Sequence, residues 1–93
     1  MAMIKRLNEL QPGMTEADVR GILGDPAQKE LKEGRTIFKY DLFKWFHGFK
    51  PAYLVFDEAG QLAEWMVDEK EFHERQKLWV KAFKVVQKTQ KDD

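Results

Sequence analysis

The sequence predicts an α+β domain made of two short N-terminal helices, a three-stranded antiparallel meander and one longer C-terminal amphipathic helix. Three observations predict it: helical apolar spacing before residue 26, alternating apolar and polar residues between 36 and 67, and a return to helical patterning after 68. The 93 residues are 43% hydrophobic and 13% aromatic, which suffices for one core. We therefore expect residues 1–93 to form a single domain.

The two N-terminal helices are predicted from spacing and end signals. Apolar residues of 3–10 recur at helical intervals, and the Gln11-Pro12-Gly13 run ends that helix. Thr15 is a favourable N-cap for the second helix, and Asp18, three residues later, can complete a capping box. Gly24 and Pro26 then stop the helix after about two turns.

The meander is predicted from three strands, at 36–42, 52–56 and 61–67. A turn over 57–60, with Gly60 in the left-handed position, joins the last two. Residues 43–50 are expected to form a long hairpin connection. Residues 27–34 are polar and fit either the start of a strand or a loop leading to a turn at Glu33-Gly34.

Residues 68–88 form the predicted C-terminal helix, with acidic residues near its start and basic residues after them, as the helix dipole favours. Its lysines fall on one stripe opposite an apolar arc that contains Trp79 and Phe83. Three roles fit: it covers the open face of the sheet, it pairs with another copy or a partner, or it lies on an anionic membrane. The predicted surface lysines are Lys77, Lys81, Lys84 and Lys88.

Composition argues against several classes of function. Lys and Arg number 16, as do Asp and Glu, so neither a generic polyanion-binding role nor a nucleic-acid partner is expected. The chain has no cysteine and no serine, which removes thiolate and serine nucleophiles. His47 and His73 stand alone, without metal-ligand spacing. We therefore predict no catalytic residues, no metal site and no cofactor.

One run resembles a known family signature. Residues 10–15 (LQPGMT), Val19 and residues 23–26 (LGDP) resemble the motif of the SmpA/OmlA family of small outer-membrane lipoproteins, which includes the E subunit of the β-barrel assembly machinery. The similarity spans about residues 7–67, so the helix at 68–88 is an addition. The resemblance implies a β-lactamase-inhibitor-protein-like fold and a role in assembly or integrity of the bacterial envelope. The family's lipidated cysteine is absent here.

The aromatic segment 43–50 is the candidate partner-binding surface, because exposed aromatic residues anchor protein interfaces. Alternatively, its rings only cover one end of the sheet core. The expected contacts are Phe43, Trp45, Phe46 and Phe49 as apolar anchors, with Lys44 and Lys50 as a basic rim.

The function expected is therefore a non-enzymatic protein-interaction or scaffold module of the bacterial cell envelope. The alternative is a cytoplasmic regulatory or inhibitor-like domain that dimerises through its C-terminal helix, and a third is peripheral membrane binding. The chain would be periplasmic or outer-membrane-associated if an export signal was removed from it, and cytoplasmic if Met1 or Met3 is the native start.

Overall fold

The computed structural model describes residues 3–44 and 48–91, with side chains up to residue 81. Its four strands form one antiparallel sheet in the order β1-β2-β3-β4, with helices on both faces. In chain order the elements are a 3₁₀ helix Ile4–Glu9, α1 Glu16–Leu23, β1 Gln28–Lys32, β2 Arg35–Lys44, β3 Gly48–Phe56, β4 Leu62–Met66 and α2 Glu69–Lys91.

The broad α+β class is as predicted, but the prediction of a three-stranded meander is wrong. The additional strand is β1, which pairs with β2 from Gln28–Lys39 to Lys32–Arg35. Four of its five side chains are exposed, so no alternation of buried and exposed residues marks it in the sequence. Residues 28–32 are extended because their backbone forms hydrogen bonds with β2. The polar sequence at 27–34 gives no indication of that pairing.

The central hairpin is also longer than predicted. Residues 43–44 and 48–50, expected in a connection, continue β2 and β3. Pro51 lies opposite Asp41, beyond Tyr53–Met66, the last pair of β3 with β4. A proline is accepted there because its missing N–H would face an unpaired edge.

The cap of α1 forms as predicted. The Thr15 amide donates to Asp18 Oδ2 at 3.1 Å, and the Asp18 amide donates to Thr15 Oγ1 at 3.2 Å. Gly24 ends the helix with φ +80°, a backbone angle that favours glycine.

The main core lies between the sheet and the first two helices, on what we call the α1 face. A bulge between β3 and β4 at Val55/Phe56 allows both Leu62 and Trp65 to pack on this face. The buried members are Leu10, Val19, Leu23, Phe38, Tyr40, Leu42, Ala52, Leu54, Phe56 and Leu62.

A second, smaller core lies on the opposite face, the α2 face. Phe72 of α2 stacks on Tyr53 of β3, with ring centroids 4.2 Å apart and planes within 7°. Trp79 packs against the same cluster, which contains Ile37, and the Arg35 guanidinium lies 5.2 Å from the centre of the indole. The C-terminal helix therefore covers its own sheet, the first of the three predicted roles. The side chain of Phe83, also expected there, lies outside the described part.

Candidate functional site

The far end of the β2–β3 hairpin, which we call the hairpin end (residues 41–44 and 48–51), projects beyond the neighbouring strands. The last pair of β1 with β2 is Gln28–Lys39, and β4 stops at Met66. Past these points β2 and β3 continue as a two-stranded ribbon, and Met3 forms an isolated bridge to Phe43. The ribbon thereby presents residues from both strands on a narrow projecting surface.

An aromatic pair dominates this surface. Phe43 and Phe49 are cross-strand partners, and their ring centroids are 5.7 Å apart in an edge-to-face arrangement. Phe43 is half-buried, whereas Phe49 is 54% exposed. Strand alternation places both rings on the α2 face, beyond the position where Phe72 covers Tyr53.

The predicted basic rim lies elsewhere on the ribbon. Lys44 and Lys50 are exposed, but alternation places them on the α1 face, opposite the two phenylalanines. Trp45 and Phe46, the other two predicted anchors, lie outside the described residues, as does His47. Half of the predicted aromatic set is thus brought together by the fold.

The predicted lysine surface of α2 is described in part. Lys77 and Lys81 are exposed. Lys84 and Lys88 occupy helical positions in α2, and their side chains lie outside the described part. Lys77 also borders a groove between α2 and β1.

A cavity of about 260 Å³ lies between the end of α1 and the middle of β2. The hydroxyl of Tyr40 donates to the backbone carbonyl of Gly24 at 2.7 Å. Burial raises the pKa of Tyr40 to about 12; Asp25 also raises it, while Arg20 opposes the shift. The phenol is therefore a neutral hydrogen-bonding group at physiological pH. The lining residues are Leu23, Gly24, Asp25, Ala27, Tyr40, Asp41 and Leu42.

We expect the ionisation of Tyr40 to destabilise the fold at high pH. In the unfolded chain a tyrosine loses its proton near pH 10, whereas in the fold Tyr40 does so near 12. The unfolded state thus binds fewer protons over this interval, and the stabilisation present below pH 10 is lost as pH rises towards 12. Urea unfolding from about pH 8 to 11.5 measures this loss.

The Tyr40→Phe variant is the control for this measurement. It lacks both the titrating hydroxyl and the bond to Gly24, so it should be less stable at neutral pH but decline less steeply above pH 10. Tyr53, whose pKa is also raised by burial, is present in both proteins. Parallel pH profiles for the two proteins would contradict the assignment.

Neither a metal-binding cluster nor a membrane-spanning helix occurs in the residues that the structure describes. In 3–44 and 48–91, histidine and acidic side chains form no group of three or more that could hold a metal ion. No helix in that part of the chain combines the length and apolar character needed to cross a bilayer.

Comparison with known proteins supports the fold. No family model matches the chain, and no curated protein matches it. A crystal structure provisionally named osmotically inducible lipoprotein OsmE is similar, with a TM-score of 0.63 and 25% sequence identity over 76% of this chain and 79% of that one. The chain therefore has an OsmE/SmpA-type fold, in agreement with the fold that the sequence resemblance implied.

Proposed function

We propose that this chain is a non-enzymatic protein-binding module of the bacterial cell envelope and that it binds its partner through the hairpin end. The exposed ring of Phe49 carries this proposal. It is held by Phe43 on a ribbon that extends past both neighbouring strands. A rigidly held aromatic side chain loses little conformational freedom on binding and buries a large apolar area, which makes it a strong interface anchor.

Two similarities support the envelope part of the proposal. The motif around residues 10–26 resembles that of outer-membrane lipoproteins, and the similar crystal structure carries the name of a lipoprotein. Both similarities link the folded scaffold to lipoproteins, which supports the proposed envelope location. They do not identify the partner, because one fold can serve many functions.

The alternative, dimerisation through α2, has less support from the packing. Phe72 and Trp79 are engaged with the chain's own sheet, so the apolar stripe of this part of α2 is already used. Leu78, which is 68% exposed, is the apolar side chain that such a dimer would use here.

Photo-crosslinking tests the proposal and identifies the partner. Benzoylphenylalanine incorporated at position 49 should give a discrete crosslinked protein in bacterial cells, whereas the same group at position 31 should not. Leu31 is a suitable control because it is 75% exposed, lies at the opposite end of the sheet and, by strand alternation, is on the α1 face, away from α2. With the purified partner, Phe49→Ala should weaken binding by about 2 kcal/mol, or roughly 30-fold, by calorimetry.

The Leu31→Ala variant should bind that partner as the unsubstituted chain does. Equal crosslinking from positions 49 and 31, or a Phe49→Ala variant that is stably folded and binds with unchanged affinity, would refute the hairpin end as the contact.

A further inference from the structure

A groove of about 540 Å³ runs between α2 and the strand β1, at the end of the sheet away from the hairpin end. We call it the α2–β1 groove. One wall is a single side of α2, because its four helical residues follow the i, i+3, i+4, i+7 spacing, and the other wall is the half-buried Lys32. The lining residues are Lys32, His73, Gln76, Lys77 and Val80.

The two sides of α2 differ in charge compensation. On the side of β4, Arg75 lies 3.4 Å from a carboxylate oxygen of Glu64 and 3.8 Å from one of Glu71. On the groove side, neither Lys32 nor Lys77 has an ion-pair partner in the described part of the chain. The groove thus presents two uncompensated ammonium groups from separate elements.

The remaining groups around the groove define what it can accept. His73 Nε2 is 3.5 Å from Glu69 Oε1, a contact that is an ion pair only when the imidazole is protonated, and Glu69 itself does not line the groove. Val80 supplies an apolar surface, and the amide of Gln76 can both donate and accept hydrogen bonds, as a peptide backbone requires. A ligand with carboxylates, an apolar side chain and amide groups matches this lining.

The outer side of the groove is open to a polypeptide. Within the described residues β1 is an edge strand, with β2 on one side and no strand on the other. Four of its five side chains are exposed. A peptide segment can therefore approach along β1 without displacing any part of the described sheet.

We infer that the α2–β1 groove binds an acidic peptide segment of a partner protein, with a carboxylate between Lys32 and Lys77 and a neighbouring apolar side chain on Val80. This surface is separate from the hairpin end, so the inference goes beyond the proposed function and does not depend on it. Charges of opposite sign across such a contact raise the association rate and disfavour uncharged competitors, so an acidic peptide should bind more tightly than its neutral counterpart.

Nuclear magnetic resonance titration of the full isotope-labelled chain tests the inference. The probe is an end-capped hexapeptide that alternates glutamate and leucine, and its matched control contains glutamine in place of glutamate. We expect the acidic peptide to shift the backbone amide signals of residue 32 and residues 73–80, and to bind at least about tenfold more tightly than the glutamine peptide.

Charge-reversal variants provide the second arm. The double variant Lys32→Glu/Lys77→Glu should weaken acidic-peptide binding by at least about tenfold. The double variant Lys5→Glu/Lys44→Glu makes the same change in net charge at exposed lysines that lie outside the groove and outside α2, and it should bind within about twofold of the unsubstituted chain. Thermal unfolding checks that both double variants are folded. If Lys32→Glu impairs folding, the single variant Lys77→Glu, at an exposed site, provides the test instead.

Four outcomes would overturn the inference. These are equal binding of the two peptides, equal weakening by the two double variants, no amide shifts at about 1 mM acidic peptide, and identical shifts at the same affinity from inorganic phosphate. Vesicles of phosphatidylglycerol form a separate arm. Groove-dependent binding to them, in the absence of peptide binding, would assign the lysines to a lipid surface and so contradict the inference.

Discussion

Replacing Phe56 with alanine is expected to lower the free energy of unfolding by about 3–5 kcal/mol. Its ring is fully buried at the end of β3, with its centroid 4.8 Å from that of Phe38. It also pairs across the bulge with Leu62, so truncation leaves a cavity where two strands and α1 meet. A chain of 93 residues has a total stability of roughly 5–14 kcal/mol, so this variant would lose a large part of it.

Urea unfolding followed by circular dichroism measures this effect. Phe56→Leu, which fills most of the site, should cost less than half as much as the alanine variant. Leu31→Ala, at a position that is 75% exposed, should change stability by no more than about 0.5 kcal/mol. A Phe56→Ala variant as stable as Leu31→Ala would show that Phe56 is not in the core.

Replacing Phe72 with alanine is expected to lower the free energy of unfolding by about 3 kcal/mol, because it removes the ring that stacks on Tyr53. Phe72 is 6% exposed, and the Ile37, Val55 and Tyr53 side chains beneath it would gain access to water. The unfolding midpoint in urea should fall accordingly.

Leu78→Ala is the matched control for Phe72, since it lies on the same helix and is 68% exposed. It should be neutral within about 0.5 kcal/mol at low protein concentration. Equal effects of the two substitutions would indicate that α2 does not cover the sheet in solution. A loss for Leu78→Ala that grows with protein concentration would instead favour the dimer.

Local signals in the sequence predicted α1 well. Thr15 and Asp18 are close in the chain, and their reciprocal hydrogen bonds need no distant partner. The strand β1 could not be predicted in this way, because its conformation depends on pairing with β2, and its exposed side chains leave no apolar alternation.

The hairpin end was misassigned for a related reason. Aromatic residues at 43, 45, 46 and 49 interrupt the two-residue period, and Gly48 and Pro51 favour turns, so the pattern indicates a connection. The ladder between β2 and β3 nevertheless continues to Lys44–Gly48. The exposure of Phe49, which decides its use as a contact, follows from where β4 ends and therefore has no signature in the segment itself.

The Tyr40 cavity and the α2–β1 groove could not be predicted from the sequence either. Lys77 was selected from the sequence as part of a stripe, but nothing in the stripe indicates that it faces Lys32 on β1. Tyr40 could be predicted as a buried residue of its strand, whereas its bond to the carbonyl of Gly24 requires the end of α1 to be in place. Sites assembled from distant elements depend on topology, which residue spacing does not encode.

The link between the N-terminal segment and β4 has a consequence for the order of folding. The Gly13 amide donates to the Leu62 carbonyl at 2.8 Å, and the Leu62 amide donates to the Met14 carbonyl at 2.7 Å. The hairpins of the meander close short loops, whereas this link closes one of about fifty residues and carries the higher entropic cost. The meander can therefore assemble first, strand by strand. We therefore expect docking of residues 13–15 to be the late step, which brings α1 onto its face of the sheet and completes the main core.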